Sequence, residues 1–360
     1  MTDKLKVALT ADFYDATGKP KYADLGLSVF DEQPQIDVRA IKEHRTQISP
    51  DQLDGANGVI VLTPAVTKET VSRANELLAI GRFGVGYDAV DVAACTEADV
   101  AVFITAGAVD RPVAEAVVGW MLALTHHVKA KDRLVREGRW DDRSRFMGKE
   151  LRDRTLGVVG LGGIARQLIE LLAGWGMSPP MAFDPFIKPE DAARLGVKLV
   201  DLDELLRSSD FVSIHCPLTE KTRGMIAARE LSLMKPDAYL INTARGGIVD
   251  EDALYDALKG ERIAGAALDC FAAEPVTSPS RFGEFDNALL APHSIAWTDE
   301  LFRDIGRAAC QGMVDLSRMR KPRGIVNPQV FERPAFQDKW QRLCANLVPG
   351  NVRNDATIGA

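Results

Sequence analysis

Residues 156–185 read LGVVGLGGIARQLIELLAGWGMSPPMAFDP, and the spacing of their small residues predicts a nucleotide-binding turn. The apolar LGVVG segment is typical of a buried strand, and IARQLIELLAGWG continues as a helix. Gly160 permits the tight turn, Gly162 lets backbone N–H groups approach a pyrophosphate, and Ala165 lets helix and strand pack closely. The N-terminus of the helix adds partial positive charge.

An acidic residue completes this βαβ unit. Asp184 ends the next predicted strand, MAFD, about 20 residues after the turn. A carboxylate there can accept hydrogen bonds from both hydroxyls of a ribose, and it repels a 2′-phosphate. A tight turn in an empty βαβ unit would explain the glycines alone. The order of strand, glycines, helix, strand and acid instead favours NAD as the cofactor, in preference to NADP.

Short apolar segments alternate with helical patterns along the chain, which predicts parallel sheets flanked by helices. In the first third the segments are KVALTAD, GVIVL, LLAIGRFG and VAVFIT, and from Leu156 they are LGVVG, MAFD, FVSIH, AYLINTA, IAGAALD and ALLAPH. The predicted fold class is therefore α/β, with two Rossmann-like, doubly wound, parallel-sheet domains.

A long helical pattern from Pro112 to Gly138 separates the two groups of strands. We expect one continuous helix here that bridges two domains. A second such pattern follows Thr298 and runs to about Arg320, with two acidic residues in its first turn, where negative charge favours the helix dipole. The first helix carries more apolar surface than one domain needs, which predicts a homodimer formed through the cofactor domains.

The length and composition of the chain limit the number of domains, the kinds of binding partner and the cellular compartment that we expect. The 360 residues suffice for two domains, and the net charge of −7 does not favour a polyanion such as nucleic acid. No apolar run approaches the roughly 18 residues that a membrane span needs, and the N-terminus does not resemble a secretory signal. Five scattered cysteines without a CxxC pair predict neither a disulfide framework nor a metal site, and they fit a reducing cytoplasm.

Three successive predicted strands end in residues that can do chemistry. Arg245 follows the first strand, Glu274 the second, and His293 the third. Because ligands bind at the carboxyl ends of parallel strands, we expect all three to face the crevice that holds the cofactor. Each alone has an ordinary explanation, as a surface arginine, a solvated loop carboxylate or a core histidine. Together they are the cation, carboxylate and imidazole that chemistry at a 2-keto acid needs.

The chain resembles the D-isomer-specific 2-hydroxyacid dehydrogenases over nearly its whole length. The stretches that carry the resemblance are GRFGVGYDAVDV, RPVAEAVVGWMLAL, VREGRW, GVVGLGGIARQL, HCPLTEKTRGMI, INTARGGIVDEDAL, ALDCFAAEP, APHSIAW and IVNP. The resemblance implies a cofactor domain inserted within the substrate domain. The substrate domain would comprise residues 1–107 and 299–332, the NAD-binding domain residues 108–298, and residues 333–360 a C-terminal tail.

The resemblance also implies roles for individual residues. Arg245 would orient the substrate, His293 would act as general acid and base, and Glu274 would raise the pKa of His293. Backbone N–H groups of Val85 and Gly86 would hold the substrate carboxylate. Residues implied to contact the cofactor are Gly160, Gly162, Gly163, Ile164, Asp184, Cys216, Pro217, Thr222, Thr243, Ala244, Asp269 and His293, of which Asp269 would touch the nicotinamide carboxamide. Trp297 would lie at the substrate site and is bulkier than the residue many members carry there; no metal is expected.

The predicted function is an NAD-dependent oxidoreductase that interconverts a small D-2-hydroxy acid and its 2-keto acid. It could be like a hydroxypyruvate or glyoxylate reductase, or like a phosphoglycerate dehydrogenase, although about 30 residues after Asn327 are too few for a regulatory domain. Phosphite or formate oxidation on the same scaffold stays open. An NAD(H)-sensing, corepressor-like binding protein is the alternative, because PHSIAW resembles that branch of the family.

Overall fold

The computed structural model describes residues 4–347. They form two compact units, with the second, Asp110–Trp297, inserted in sequence into the first. Every strand pair in both units is parallel, so the predicted α/β class with two parallel-sheet domains is confirmed. No helix within residues 4–347 is long and apolar enough to cross a membrane.

The first unit contains a sheet with the order β2-β1-β3-β4-β5, a doubly wound arrangement. Its strands are β1 (Leu5–Leu9), β2 (Ile36–Ala40), β3 (Gly58–Val61), β4 (Ala79–Arg82) and β5 (Ala101–Ile104). The second unit contains a sheet with the order β12-β11-β10-β9-β6-β7-β8. Its strands are β6 (Leu156–Val159), β7 (Met181–Phe183), β8 (Lys198–Leu199), β9 (Phe211–Ile214), β10 (Tyr239–Asn242), β11 (Gly265–Leu268) and β12 (Ala288–Leu290).

Helices connect the strands in both units. They are α1 (Val92–Glu97), α2 (Asp110–Thr125), α3 (Val128–Arg136), α4 (Gly163–Leu171), α5 (Pro189–Arg194), α6 (Leu202–Ser208), α7 (Ala228–Leu233), α8 (Glu251–Lys259), α9 (Asp299–Ser317) and α10 (Pro334–Cys344). The helix at the predicted nucleotide turn, α4, packs against α2. Ala165 is fully buried with Val117 and Met121 of α2 in one apolar cluster, so a small residue is needed there for close approach.

All ten predicted strands are present, and the structure adds two that the sequence did not indicate. The added strands β2 and β8 each lie at an edge of their sheet. Only the first residue of β2 is buried, and β8 has two residues, neither of them buried. An exposed edge strand needs no apolar run, and this is why the hydrophobic pattern did not reveal them.

The prediction of one continuous helix from Pro112 to Gly138 is wrong, because two helices occupy this segment. The helix is interrupted between Thr125 and Val128, where His127 has a left-handed φ of 51°. The Thr125 carbonyl accepts a hydrogen bond of 2.9 Å from the N–H of Lys149, which comes from a distant loop. That contact takes the place of the next helical hydrogen bond, so α2 ends there.

The first unit is completed by α9 and α10. Thr298 caps α9 by accepting a hydrogen bond of 3.0 Å from the N–H of Leu301, and the helix ends at Ser317, earlier than expected. The described part of the predicted tail is folded, because Phe336 of α10 is fully buried and Lys339 reaches the Leu77 carbonyl at 2.8 Å. The rest of that tail, residues 348–360, lies outside the described residues.

Candidate functional site

The glycine turn after β6 presents bare backbone. Gly160 has a φ of +95°, and a Cβ there would lie 3.0 Å from the backbone nitrogen of Cys216. A Cβ on Gly162 would meet no atom within 4 Å, so open space lies in front of the turn. Gly163 begins α4, with Ile164 as its second residue. An open backbone turn at a helix N-terminus fits a pyrophosphate.

Asp184 is fixed beside this turn by two backbone donors. Its Oδ2 accepts a hydrogen bond of 2.9 Å from the N–H of Leu161, and its Oδ1 accepts one of 2.9 Å from the N–H of Phe186. The carboxylate therefore stands where the sequence placed it, at the end of β7. Each oxygen has a second lone pair, so the group can also accept from ribose hydroxyls.

The loop after β9 carries Cys216, Pro217 and Thr222. The Thr222 hydroxyl donates a hydrogen bond of 2.6 Å to the Pro217 carbonyl and so fixes the loop. Burial raises the pKa of the Cys216 thiol to about 11, which keeps it protonated and unreactive at neutral pH. The loop therefore forms an ordered wall beside the glycine turn, and its thiol is not a reactive group.

A buried asparagine shapes the loop after β10, and the sequence analysis overlooked it. Asn242 donates from Nδ2 to the Arg245 carbonyl at 2.9 Å and accepts at Oδ1 from the Ala244 N–H at 3.1 Å. The half-buried Arg245 donates from Nη1 to the Ala244 carbonyl at 2.6 Å. Nearby, the buried hydroxyl of Thr243 makes no hydrogen bond within the described residues, so it is available to a ligand. A strand ending in a polar residue that is followed by a turn was the signal for Asn242.

Asp269, at the end of β11, holds the loop that carries His293. Its Oδ1 accepts hydrogen bonds of 2.8 and 3.1 Å from the N–H groups of Ser294 and Ile295, and its carbonyl accepts one of 2.8 Å from the His293 N–H. Burial raises the pKa of Asp269, and the backbone hydrogen bonds offset only part of that effect. His293 has a left-handed φ of 54°, a conformation that this network supports.

His293 and Glu274 form a hydrogen-bonded pair. Nδ1 of His293 lies 2.8 Å from Oε2 of Glu274, and Oε1 of Glu274 accepts a hydrogen bond of 2.8 Å from the N–H of Phe271. Burial raises the pKa of Glu274, but the hydrogen bonds from His293 and Phe271 and the charges of His293 and Arg245 together bring it below its usual value. Since Nδ1 is engaged, Nε2 is the ring nitrogen that can exchange a proton with a substrate.

In the first unit, the predicted carboxylate-binding segment follows β4. Gly84 has a φ of +133° and donates a hydrogen bond of 3.1 Å to the Thr105 hydroxyl. Within residues 4–347, the N–H groups of Val85 and Gly86 donate no hydrogen bond, which leaves two adjacent donors for a ligand. Trp297, the last residue of the second unit, has 53% of its surface exposed.

Two residues near the site escaped the sequence analysis. The carboxylate of Asp110 lies so close to Gly163 that a Cβ there would be 2.0 Å from its Oδ2. The thiol of Cys270 lies with Glu274 and His293 in a group whose donor atoms are all within 4.8 Å of one another. The sequence analysis expected no metal site, because the cysteines are scattered and form no CxxC pair. This group instead joins residues from two different loops. The signal for Cys270 was its position directly after Asp269.

Comparison with known protein sequences identifies one family. Residues 118–294 match the family model described as "D-isomer specific 2-hydroxyacid dehydrogenase, NAD binding domain". Glyoxylate reductase of Thermococcus litoralis is 36% identical over 279 residues, covering 76% of this chain and 84% of that protein. D-3-phosphoglycerate dehydrogenase of Archaeoglobus fulgidus is 38% identical over 272 residues, covering 76% of this chain and 51% of that protein. The chain spans about half the length of the phosphoglycerate dehydrogenases it matches.

Solved structures share the two-domain fold. The PH0520 protein of Pyrococcus horikoshii OT3 superposes with a TM-score of 0.76 at 25% identity, covering 93% of this chain and 99% of that one. An acyclic imino acid reductase in complex with NADPH and D-Arg has a TM-score of 0.76 at 25% identity, covering 89% of this chain and 99% of that one.

Proposed function

The chain belongs to the D-isomer specific 2-hydroxyacid dehydrogenase family and carries its NAD-binding domain, and we propose that it interconverts a small D-2-hydroxy acid and its 2-keto acid. The observation that carries the proposal is the 2.8 Å hydrogen bond between His293 and Glu274. The two residues lie in the loops after the neighbouring strands β11 and β12, and Arg245 lies in the loop after the next strand of the same sheet, β10. An imidazole oriented by a carboxylate and accompanied by a guanidinium is a set suited to proton transfer at a polarised carbonyl.

The second unit has strand-end features that suit each part of NAD. We assign the pyrophosphate to the open backbone of Gly160 and Gly162, and the ribose hydroxyls to Asp184. The unsatisfied hydroxyl of Thr243 and the carboxylate of Asp269 lie at strand ends where the nicotinamide would be held. When bound, the nicotinamide supplies the hydride, and the protein supplies orientation and charge.

We propose that Arg245 orients the substrate. The planar guanidinium offers a fork of N–H groups that matches a carboxylate and its neighbouring carbonyl. In the first unit, the N–H groups of Val85 and Gly86 donate no hydrogen bond within the described residues, and we propose them as donors to a ligand carboxylate. Arg245 polarises the C2 carbonyl, which makes that carbon more electrophilic.

Proton transfer falls to His293. In the reductive direction its Nε2 donates a proton to the oxygen at C2, and in the oxidative direction it takes the proton back. Glu274 holds Nδ1 and stabilises the protonated ring, since an adjacent negative charge favours the imidazolium. Asp269 keeps the loop in register through Ser294 and Ile295.

A substrate screen monitored by NADH absorbance tests the proposal. Glyoxylate and hydroxypyruvate are offered with NADH, and 3-phosphoglycerate is offered with NAD, because the relatives include glyoxylate reductases and phosphoglycerate dehydrogenases. We expect turnover of at least one acid and its loss in His293→Ala. If the chain binds NADH, as measured by fluorescence, but turns over none of a broad panel of 2-keto acids, the proposal fails and the NAD(H)-sensing alternative gains support.

A further inference from the structure

We propose that Cys270, Glu274 and His293 form a Zn²⁺ site that inhibits the enzyme, an inference that rests on the proposed function for its inhibitory effect alone. The three residues offer a thiol sulfur, a carboxylate oxygen and a ring nitrogen, all within 4.8 Å of one another. They come from the loops after β11 and β12, which lie side by side in the sheet. The structure thus assembles three donors of different chemistry at one point.

The distances suit closure around a metal. Zn²⁺ binds sulfur at about 2.3 Å and nitrogen or oxygen at about 2.0–2.2 Å, so the donors of a tetrahedral site lie roughly 3.5 Å apart. Glu274 and His293 are already 2.8 Å apart across a hydrogen bond. Their side chains are 34% and 45% exposed, so both have room for the shift of about 1 Å that would bring the three donors together.

The donor set selects zinc over the hard cations. Thiolate and imidazole favour Zn²⁺, whereas Mg²⁺ and Ca²⁺ prefer oxygen ligands alone. Three protein ligands leave a fourth position for water. Binding releases the thiol proton of Cys270, and the proton between His293 and Glu274, to solvent; no electron is transferred. The hydrogen bond of 3.4 Å from the Cys270 thiol to the Ala244 carbonyl is given up.

Inhibition follows from the identity of the ligands. A metal-bound His293 cannot act as the imidazolium that protonates the substrate oxygen. Glu274 would at the same time be drawn away from its hydrogen bond with the ring. Cys270 has no part in the proposed chemistry, so it would add metal sensitivity to the site without altering the reaction. The competing explanation is that Cys270, only 2% exposed, fills space as a small apolar residue.

A cobalt titration tests the site without reference to activity. The full chain is stripped with a chelator and titrated with Co²⁺, a spectroscopic substitute for Zn²⁺. We expect visible bands of tetrahedral cobalt and a near-ultraviolet thiolate-to-cobalt band at one equivalent, both displaced by Zn²⁺. Cys270→Ser should remove the thiolate band, and Cys344→Ala, which deletes a buried thiol of α10, should retain it. An unchanged band in Cys270→Ser, or no band in the unmodified chain, overturns the proposal.

A zinc titration of the reductase reaction tests the consequence. Zn²⁺ should inhibit the unmodified enzyme, and a chelator should restore it. Cys270→Ser should keep its activity without metal and need at least about ten-fold more Zn²⁺ for half inhibition, because even outer partners of a metal site are worth 10–100-fold. Equal zinc sensitivity of the two proteins contradicts the inference. A chain without dehydrogenase activity would refute the proposed function, and the cobalt titration would still decide the metal site.

Folding of the variant is checked separately. Circular dichroism and NADH binding report whether Cys270→Ser is native. If it is not, His293→Ala gives an independent measurement, because this substitution removes an exposed ligand and leaves the thiol in place. We expect it to weaken cobalt binding by a similar factor. Unchanged cobalt affinity in His293→Ala would also overturn the proposal.

Discussion

Glu274 and His293 lie 19 residues apart in the sequence, yet Oε2 of one is 2.8 Å from Nδ1 of the other. The bond joins the loops after two neighbouring strands, β11 and β12. The interaction lowers the pKa of Glu274 against the opposing effect of burial, so the group is a carboxylate at neutral pH. A charged partner for the imidazole has a measurable consequence for the pH dependence of the reaction.

Replacing Glu274 with Gln should make keto-acid reduction fade at a lower pH than in the parent. The amide keeps a hydrogen-bonding group but removes the negative charge that favours the protonated ring. Reduction requires that proton, so activity near neutral pH falls while activity at acidic pH is partly retained. The measurement is kcat/KM against pH at saturating NADH. Superimposable profiles for parent and variant would show that Glu274 is not the functional partner of His293.

Arg245→Ala and His293→Ala should differ in which kinetic constants they change. In the proposed mechanism the arginine contacts the substrate in the ground state as well as in the transition state, so its loss should raise KM and lower kcat. Loss of the general acid should lower kcat by about 10²–10⁴-fold. Steady-state kinetics with the best acid of the substrate screen separate the two patterns. A change confined to KM in His293→Ala would exclude it as the acid.

Ten of the twelve strands could be predicted, because parallel strands in a covered sheet are continuous apolar runs, which the exposed edge strands β2 and β8 are not. The positions of Arg245, Glu274 and His293 in the loops after three of these strands could also be predicted, because each residue lies only a few positions beyond an apolar run. The break at His127 could not, since it depends on a hydrogen bond between Thr125 and the distant Lys149. The approach of Cys270 to His293 escaped prediction for a similar reason. Loop conformation decides that distance, and no local pattern encodes it.

Asp184→Ala should relax the preference for NADH over NADPH. The substitution removes the charge that opposes a 2′-phosphate, and we expect the ratio of kcat/KM values to change by about ten-fold or more, equivalent to about 1.4 kcal/mol. Because Asp184 also accepts hydrogen bonds from Leu161 and Phe186, the alanine variant loosens the turn. Asp184→Asn is the matched control for the structure of the turn, because it removes the same charge but keeps an acceptor oxygen. It should relax the cofactor preference as Asp184→Ala does. Equal efficiency with both cofactors in the unmodified protein would contradict the role of this carboxylate.

Lys339 should make the stability of the protein depend on alkaline pH. Its burial lowers its pKa from 10.5 to about 8, so the unfolded chain binds more protons than the folded one between these values. Stability attributable to this residue is therefore present above pH 10.5 and is lost as the pH falls to about 8. The difference in unfolding free energy between parent and Lys339→Met should shift in favour of the parent by about 3 kcal/mol across that window. Denaturant titrations at several pH values measure it, and a difference independent of pH would show that Lys339 titrates normally.

Four exposed apolar side chains lie on α3 and on the segment that follows it. They are Val128, Val135, Trp140 and Met147, which are 52%, 64%, 64% and 77% exposed. Large exposed apolar side chains that follow one another along the chain are candidates for a subunit interface, and we refer to these four residues as the exposed apolar cluster. We propose that the predicted homodimer buries these side chains in its interface, and a stable interface of this kind buries upwards of about 2,000 Å² in total.

Val135→Asp should therefore convert the dimer to a monomer at micromolar concentration, because an unpaired charge would be buried at the interface. Light scattering measures the mass of the unmodified chain and of the variant under the same conditions. Leu195→Asp is the matched control, because Leu195 is an exposed apolar residue outside the cluster, just after α5, and its replacement should leave the dimer intact. A monomeric mass for the unmodified chain would contradict the proposed dimer. A dimer that persists in Val135→Asp places the interface elsewhere, and the exposed apolar cluster would then need another partner to cover it.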